Sequence, residues 1–405
     1  MAVSAATRTP TTRFDIGSDE IAADPWPGLR ELSGLGPVVW HETLGRWLVT
    51  ADQETRDILA RFERFSVEGT SMQDLFGAEA FISMDDRRRH DRLRQVWAAA
   101  FRQQGLEALR PVVQATVDRL LAPVVERLRS GEAVDLSDAI CRPLPTMVIA
   151  LMMGVPDEAI PDVVRWSDAM ASGSASYLPE AQAKRARAAR DDGKTQLAAY
   201  LGRLIAERRA TPGADLISTL VQSEPGRELP DEHLVQNVRQ LLFAGNETTA
   251  KWLAHIFVTY GERPGVRREL AADRTLVVAA NEEVMRWQTV VGTTVRRVRG
   301  GPTVVAGIAM AEGDEVTCLL AAANRDPARY RDPDTFDLHR PRQPNLGFGA
   351  GLHNCLGAML ARMEAERAVN GLLDAAPDFA VAAPYRYSSV PLRGPLPVIA
   401  ALDRS

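Results

Sequence analysis

The most informative segment of this chain is Gly347-Phe348-Gly349-Ala350-Gly351-Leu352-His353-Asn354-Cys355-Leu356-Gly357. A single cysteine stands between a glycine-rich turn and a predicted helix that runs from Leu356 to about Asn370. Glycines let the backbone take left-handed or tightly bent conformations and approach a flat ligand closely. Amide groups at the start of the helix would point at the sulfur, where the positive end of the helix dipole favours a thiolate. The pattern therefore predicts that Cys355 is an anionic ligand on a tight loop.

This segment, called the cysteine loop below, resembles the haem loop of the cytochrome P450 superfamily. The family pattern is Phe-Gly-x-Gly-x-His-x-Cys-x-Gly, and each of its specified positions is filled between residues 348 and 357. The resemblance implies that Cys355 is the metal ligand, bound to the iron of haem b (iron protoporphyrin IX), a ligation that promotes cleavage of the O–O bond. It also implies that the cofactor is contacted by Phe348, Gly349, His353 and Gly357.

Three other interpretations of the cysteine loop are weaker. Most free cysteines are inert buried thiols, but independent motifs elsewhere in the chain agree with the haem interpretation. A dinucleotide-binding turn would need a third glycine where Asn354 stands, and no convincing strand precedes it. A zinc site would need a second pair of ligands, whereas Cys141 and Cys318 are isolated in the sequence.

Composition describes an ordinary globular chain of 405 residues, with 45% apolar residues, 25% charged residues and a formal net charge of −5. This mild charge gives no reason to expect nucleic-acid binding. The N-terminal segment has neither an apolar stretch of about 20 residues nor a signal-peptide core, so no membrane span is expected there. The three cysteines lack paired spacing, which indicates a reducing compartment and predicts a cytoplasmic protein.

Sequence periodicity predicts a mainly α fold with a minor β portion. The proline-free stretch from Asp231 to about Tyr260 predicts one long helix through the core, and a hairpin is predicted around the turn at residues 42–45. Pro111, Pro123, Pro143 and Pro145 are expected to kink or split their helices. The other predicted helices cover residues 53–60, 87–101, 105–130, 137–153, 160–171, 180–206, 216–222 and 273–287. The other predicted strands cover residues 294–298, 303–305, 315–319 and 397–402.

No internal repeat or second domain boundary is visible, so residues 1–405 are predicted to form a single haem domain whose residues 1–20 are flexible. The resemblance implies the cytochrome P450 fold, which has a large helical part with a long central helix and a small β-rich part.

A second motif, Ala244-Gly245-Asn246-Glu247-Thr248-Thr249, lies within the long predicted helix. Glycine costs about 1 kcal/mol relative to alanine in a helix interior, and threonine hydroxyls can bond back to carbonyls and bend the helix. We therefore expect a local distortion that opens a groove. The segment resembles the oxygen-binding stretch of P450s. That implies a proton relay through Glu247, a water held by Thr248, and cofactor contacts from Ala244 and Gly245. A polar patch facing solvent is the alternative.

Glu283 and Arg286 stand three positions apart on a predicted helix and can pair. Most such pairs contribute little to stability, and the motif alone would be interpreted that way. The resemblance implies instead a structural pair that locks the segment before the cysteine loop. Residues 324–327 (Asn-Arg-Asp-Pro) and 336–337 (Phe-Asp) match the bacterial branch of that segment.

Basic residues in two other segments resemble the family's donors to the haem propionates. His90 and Arg94 lie one helical turn apart on one face, which suits charge-assisted bonds to a carboxylate. A solvated basic face, rich in arginine from 87 to 89, is the competing interpretation. His353 is expected to reach the other propionate. Strand alternation allows only one of Arg296 and Arg297 to face the haem, and we favour Arg297.

The substrate pocket is placed by resemblance only, over the distal face of the haem. The segments concerned are 72–81, 243–244, 290–294 and 388–391, and their side chains are mostly apolar or small. This composition predicts a small-to-medium hydrophobic substrate that is uncharged or weakly polar, and no arginine or lysine is obviously placed to bind a carboxylate. The predicted lining residues are Met72, Phe76, Phe81, Phe243, Val290, Val291, Gly292, Thr293 and Val390.

The resemblance implies a monooxygenase that uses O2. The chain has no room for a flavin module and lacks the cysteines for an iron–sulfur cluster, so we expect electrons from a separate ferredoxin and its reductase. Arginines such as Arg102 and Arg362 are expected to steer an acidic electron donor to the protein. The protein is expected to be a monomer. Two other functions are weighed against this one, a peroxide-driven peroxygenase and a haem-binding sensor without turnover.

Overall fold

The structure is a computed structural model that describes residues 9–172, 180–387 and 389–403. Helices dominate, and the β-strands are short and few by comparison. The helices are α1 Asp19–Ala23, α2 Trp26–Leu35, α3 Asp52–Ala60, α4 Ser71–Phe76, α5 Arg87–Ala98, α6 Gln103–Ser130, α7 Pro143–Met153, α8 Ile160–Ser172, α9 Glu180–Ala210, α10 Leu216–Gln222, α11 Glu224–Glu228, α12 Asp231–Gly261, α13 Pro264–Ala272, α14 Val277–Gln288, α15 Leu320–Ala323 and α16 Ala358–Ala375. The mainly α fold class predicted from the sequence is confirmed.

The strands form one sheet of six strands and three smaller pieces. The strands are β1 Thr11–Thr12, β2 Val38–His41, β3 Arg46–Val49, β4 Phe65–Ser66, β5 Val134–Asp135, β6 Thr294–Val298, β7 Thr303–Val305, β8 Ile308–Met310, β9 Glu315–Cys318, β10 Phe379–Val381, β11 Arg386–Tyr387, β12 Pro395–Leu396 and β13 Ile399–Leu402. The large sheet has the order β1-β2-β3-β9-β6-β4. Its β2–β3 hairpin is the predicted one, with Trp40 opposite Trp47.

Helix α12 is the central element of the helical part. It has 31 residues, which at 1.5 Å per residue span about 46 Å. From Thr249 to Gly261 every residue is buried, as expected of a helix that is enclosed on all sides. It packs against α7, α8, α9, α14 and α16, so it runs through the core as the proline-free stretch predicts. No described helix combines the length and apolar character needed to cross a bilayer.

The predicted effect of the prolines is only partly seen. Helix α6 continues through Pro111 and Pro123, and both prolines are exposed, so the carbonyls that lose their partners can bond to water. The predicted helix at 137–153 is split, because a π-helical turn at Ser137–Cys141 precedes α7. Pro143 begins α7, a position where its missing N–H is not needed.

The segment that we predict to be flexible, residues 1–20, includes regular structure in its second half. Strand β1 pairs in parallel with β2, with Thr11 opposite Trp40. Ile16 is buried in an apolar cluster with Leu29 and Leu32. These contacts order the segment because it completes the edge of the large sheet and covers its apolar side. Residues 1–8 lie outside the described part of the chain.

The Glu283–Arg286 pair of α14 is a buried structural lock. Two hydrogen bonds of 2.7 Å join the guanidinium to the carboxylate, and both side chains are almost fully buried. Arg286 also donates to the carbonyls of Asn324, Pro333 and Thr335. These bonds fix the segment that leads into the cysteine loop.

The carboxyl group of Glu364, on α16, is 2% exposed. Burial raises its pKa from 4.5 to about 8, so the folded protein holds this carboxyl protonated where the unfolded chain ionises it. The stability that this group contributes is fully present below about pH 4.5 and is lost as the pH rises through about 8.

We predict that Glu364→Gln removes this pH dependence. Between about pH 5 and pH 8 the free energy of unfolding of the wild type should fall relative to the variant by at most about 1.4 kcal/mol per pH unit. Chemical denaturation of both holoproteins across this range measures the difference. Parallel profiles for the two proteins would contradict the prediction.

Candidate functional site

The cysteine loop is closed by two glycines in left-handed conformations. Gly349 has φ 69° and Gly351 has φ 70°. A Cβ atom on Gly351 would lie 2.0 Å from the carbonyl oxygen of Leu59, so no other residue fits there. The N–H of Cys355 donates to the carbonyl of Phe348 over 2.9 Å. The loop therefore turns back on itself and presents the sulfur just before α16, which begins at Ala358 rather than at the predicted Leu356.

The environment of the Cys355 sulfur contains both opposing and favouring influences on a thiolate. Burial raises the pKa of the thiol. It is lowered by the N–H groups of Gly357 and Ala358 and by the charges of Arg94 and Arg362. Burial is the larger effect, so the pKa of the thiol lies above its ordinary value. The side chain is nevertheless exposed. The Cys355 sulfur is surrounded by protein atoms and yet its side chain is exposed, so the thiol opens onto a cleft inside the molecule. The anion then needs a cationic partner in that cleft.

The two other cysteines offer a clear contrast. Cys141 and Cys318 are buried, and burial raises the pKa of Cys318 to about 12. Neither opens onto a cleft, so only Cys355 is accessible to a ligand among the three cysteines of the chain.

Two histidines lie side by side at the edge of the cleft. The rings of His90 and His353 are 5.2 Å apart. His90 Nδ1 bonds to Asp91 Oδ1 at 2.9 Å, and His353 Nε2 bonds to Asp85 Oδ1 at 3.2 Å. The second nitrogen of each ring is buried and has no hydrogen-bond partner within the described ranges. Burial lowers the pKa of both imidazoles. An anionic group that accepted hydrogen bonds from both free nitrogens would satisfy them when each ring is protonated on both nitrogens, a state that the negative charge of the anion favours.

The structure revises which arginine of β6 belongs to this group. Arg297 faces outward, where it donates to Glu315 at 2.9 Å and to the carbonyl of Gly69, so the preference for Arg297 is not supported. Arg296 is 5% exposed and close enough for its charge to act on His353. Strand alternation places Arg296 and Arg297 on opposite faces of β6, but which of them faces inward depends on the pairing of β6 with β9 and β4, which the sequence does not specify.

Arg94, which is predicted to bind a haem propionate, lies close enough to Cys355 for its charge to act on the thiol, and its hydrogen bonds are to the cysteine loop. It donates to the carbonyl and to the side-chain oxygen of Asn354, over 2.8 and 3.1 Å. Two participants in this part of the site, Asn354 and Asp85, were not predicted. Asp85 accepts bonds from the N–H of Val67 and from His353, a long-range arrangement without a local sequence signal.

The motif on α12 forms part of the helix without a break, so the predicted distortion is absent. Instead, Thr248 Oγ1 donates to the carbonyl of Ala244 at 2.9 Å. Both residues lie on one face and are partly exposed. Gly245 has another role, because a Cβ atom there would lie 3.2 Å from Ile149 of α7. The glycine thus allows α7 to pack closely, and the face with Ala244 and Thr248 is the accessible one.

Glu247 belongs to a charged cluster that the sequence analysis did not identify. Its carboxylate lies 2.7 Å from Lys251 Nζ, one turn along α12, and both side chains are largely buried. Asp168 of α8 lies near it and contacts Arg142 at 3.6 Å. Burial and the negative charge of Glu247 raise the pKa of Asp168 to about 6. The Glu247–Lys251 spacing could have indicated the pair, but the approach of α8 could not be predicted.

The predicted pocket residues divide into accessible and packed side chains. Met72, Val291 and Thr293 are partly exposed, as lining residues should be. Phe81 packs against His90 and Trp97. The remaining predicted lining residues, Phe76, Phe243, Val290, Gly292 and Val390, are buried. Gly292 contacts the predicted lining segment 388–391, because its N–H donates to the carbonyl of Pro391. Ser388, within one predicted segment, lies outside the described residues.

A flat cofactor that carries two carboxylates fits these groups. The orphaned nitrogens of His90 and His353 and the buried Arg296 provide positive or donating groups at one edge, and Cys355 provides an accessible sulfur. In the described part of the chain no three or more His, Cys, Asp and Glu side chains cluster as an ion site would require.

Comparisons with known proteins agree with this arrangement. The family model described as Cytochrome P450 matches residues 59–375. Cytochrome P450 monooxygenase PikC of Streptomyces venezuelae is 36% identical, over 91% of this chain and 88% of its own length. The mycinamicin IV hydroxylase/epoxidase of Micromonospora griseorubida is 34% identical, over 86% and 88% of the two chains.

Solved structures show the same similarity. The structure of CYP109E1 from Bacillus megaterium in complex with testosterone superposes with a TM-score of 0.87 at 27% identity. It covers 95% of this chain and 100% of that chain. A mutant of P450 EryK in complex with erythromycin B gives a TM-score of 0.84 at 30% identity, covering 95% and 98%.

We predict that Cys355→Ala abolishes the thiolate-type spectrum of the reduced, carbon monoxide-bound protein. The reason is that only this sulfur is accessible from the cleft. Cys141→Ala and Cys318→Ala are matched controls and should keep the spectrum, provided that circular dichroism shows them folded. Survival of the thiolate spectrum in Cys355→Ala would contradict the assignment.

Proposed function

The chain belongs to the cytochrome P450 family and is a haem monooxygenase, and from that premise we propose the reaction and the residues that carry it. The proposed reaction inserts one oxygen atom of O2 into a small-to-medium hydrophobic substrate by hydroxylation, epoxidation or O-dealkylation. The electrons are proposed to come from NAD(P)H through a ferredoxin reductase and a ferredoxin. The observation that carries the proposal is the accessible Cys355 on its closed loop, together with the Glu247–Thr248 pair on α12.

When bound, the haem supplies the iron at which O2 is reduced. Cys355 would hold this cofactor from one side, and His90, His353, Arg94 and Arg296 would bind its carboxylates. The residues of α12 then have the task of supplying protons and excluding stray water.

Thr248 is proposed to position a water molecule. Its hydroxyl proton is directed to the carbonyl of Ala244 at 2.9 Å, so the lone pairs of Oγ1 remain free to accept a bond from water. The side chain is partly exposed. A water bound there would be ordered and ready to pass a proton.

Glu247 is proposed to resupply that proton. Its ion pair with Lys251 at 2.7 Å holds the carboxylate away from bulk solvent. Asp168, with a pKa raised to about 6 by burial and by Glu247, holds a proton in a range where exchange with solvent is easy. A route from Asp168 to Glu247 and then to the water at Thr248 uses only residues of this chain.

The same pair of residues separates the proposal from its two rivals. A peroxide-driven peroxygenase needs no proton relay, because its oxidant already carries both protons and electrons. A sensor without turnover needs neither relay nor electron donor. The acid and alcohol on adjacent positions of α12 favour O2-dependent turnover.

We predict that Thr248→Val uncouples electron consumption from oxygen insertion. The ratio of product to NAD(P)H consumed should fall by at least about tenfold, with hydrogen peroxide released instead, whereas Thr248→Ser keeps the hydroxyl and most of the coupling. The substrate for this assay is any compound that produces a low- to high-spin shift in a library screen. When the wild type turns over with isotopically labelled O2, one labelled oxygen atom should be incorporated into the product.

Unchanged coupling in Thr248→Val, or turnover by peroxide that is equally efficient in wild type and variant, would contradict the proposal and favour the peroxygenase. A spectral response to ligands without turnover by any reductase pair would favour the sensor.

The electron donor is proposed to dock near Arg102. Arg102 is exposed and precedes α6, shortly after α5, whose Arg94 contacts the cysteine loop. Arg362 is less suitable than the sequence indicated, because it pairs with Glu282 at 2.7 Å and covers the ring of Phe348. It supports the loop, and a change there would disturb the cofactor site as well.

We predict that Arg102→Glu slows the first reduction by a ferredoxin a few-fold at low salt and weakens its salt dependence, because one steering charge is reversed. Stopped-flow reduction measures the rate. Arg185→Glu, an exposed position on α9, makes the same charge change away from the cysteine and should leave the rate unchanged. Equal effects of the two variants would contradict the docking site.

A further inference from the structure

Arg239 of α12 is a buried cation with few partners. It is 4% exposed. One nitrogen, Nη2, donates to the carbonyl of Phe76 at 2.6 Å, whereas Nε is buried without a hydrogen-bond partner in the described chain. A guanidinium has five N–H donors, and a single carbonyl leaves most of its bonding capacity unused.

No described carboxylate compensates this charge. Burial alone accounts for the depressed pKa of Arg239, which is lowered to about 10. Every other buried arginine in the described part of the chain is influenced by at least one acidic group. These acidic groups are Glu283 for Arg286, Asp378 for Arg267, Asp85 for Arg296 and Asp24 for Arg393.

The surroundings of Arg239 add positive charge. Lys194 of α9 is partly buried and donates to the carbonyl of Asp74 at 2.7 Å. Burial and then the charge of Arg239 lower the pKa of Lys194, which places the two cations within electrostatic reach of each other. Glu79, on the segment after α4, is already paired with Arg89.

Arg239 also adjoins the apolar side chains of the proposed pocket. Phe243 lies one helical turn further along α12, and its ring contacts that of Phe76 at 5.5 Å. Gln240 bonds to the N–H of Ile82, but its Nε2 is another buried donor without a partner among the described residues. Two buried donors without partners among the described residues, Arg239 Nε and Gln240 Nε2, therefore lie where α12 meets residues 71–83.

A buried ion without a counter-ion costs several kcal/mol, and proteins ordinarily pair such a charge. We infer that Arg239, supported by Lys194, binds a carboxylate of the substrate, and that the substrate is an apolar molecule with an anionic end. This inference rests on the proposed function and narrows its substrate class. It also revises the expectation of an uncharged substrate, since the sequence does not reveal that Arg239 is buried beside the phenylalanines.

The position of Arg239 also sets the length of the substrate. Thr248 lies nine positions further along α12, which corresponds to about 13 Å along the helix axis. If the substrate's carboxylate is bound at Arg239, the carbons about 13 Å from that carboxylate would lie beside Thr248. Extended aliphatic acids of medium to long chain have this shape.

The test compares acids with neutral molecules of equal length. Dodecanoic and tetradecanoic acid are titrated against the corresponding primary alcohols and methyl esters, with binding to the holoprotein followed by calorimetry and by the spin-state shift. We expect the wild type to bind the acids at least about tenfold more tightly than the alcohols, because a hydrogen bond to a charged group is worth that much. Arg239→Gln should lose this preference while keeping its affinity for the alcohols.

Two further variants separate recognition from a structural role. Arg239→Lys keeps the charge and should retain part of the preference for acids. Arg190→Gln changes a nearby arginine that is already paired with Asp191 and should bind acids as the wild type does. Equal affinity of the wild type for acids and alcohols would overturn the inference. So would an equal loss of both ligands in Arg239→Gln, which indicates that Arg239 only anchors α4.

These outcomes are independent of whether the protein is an oxygenase. The wild type could show the thiolate spectrum and couple O2 to the oxidation of neutral compounds, yet bind acids no more tightly than alcohols. That result would refute only the proposed anion site, which is carboxylate binding by Arg239. A protein that binds the acids through Arg239 but never consumes O2 would refute the proposed reaction and leave the anion site standing.

Discussion

The constraint on which the site depends is the placement of one sulfur atom in an interior that disfavours its anion. Burial raises the pKa of the Cys355 thiol even though two N–H groups and two arginines oppose that effect. The protein alone thus stops short of stabilising the thiolate. A metal cation bound to the sulfur would complete the balance, because coordination removes the thiol proton and replaces it with a stronger charge. On this proposal the loop holds the sulfur in place and the bound metal supplies the charge.

Holding the sulfur requires a rigid support, which reaches back to α14. Glu283 and Arg286 tie together the segment around residues 324–335. Asn324 then bonds to Thr289 and receives the N–H of Leu346, immediately before the loop. Removing one partner of such a buried pair leaves an uncompensated charge, which typically costs about 3–5 kcal/mol. The same pair on a helix surface would matter little, so its burial, invisible in the sequence, gives the motif its importance.

Sequence reasoning succeeded where the chemistry is local and failed where it depends on distant packing. The glycines and cysteine of the loop, the hairpin and the long helix are all encoded within a few turns of chain. The choice between Arg296 and Arg297 needed the register of β6 with its neighbours. Asp168 beside Glu247, and Arg239 beside Phe76, are brought together by helix packing across long stretches of sequence. Gly245 is unusual in a helix interior, but the structural reason for it is a close neighbour on α7 rather than a distorted helix.

Some of the incompletely satisfied groups in the described part of the chain lie where ligands are proposed to bind. Among the described residues, an accessible thiol, two imidazole nitrogens without hydrogen-bond partners and one uncompensated guanidinium each lower the stability of the unliganded fold. Most proteins pair such groups internally. We propose a different ligand group for each deficit: a metal for the sulfur, cofactor carboxylates for the imidazoles and a substrate carboxylate for Arg239. Ligands that bind only the folded state stabilise it in proportion to their affinity. On the proposed assignments, the cofactor and the substrate would restore on binding the stability that these unpaired groups cost the folded chain.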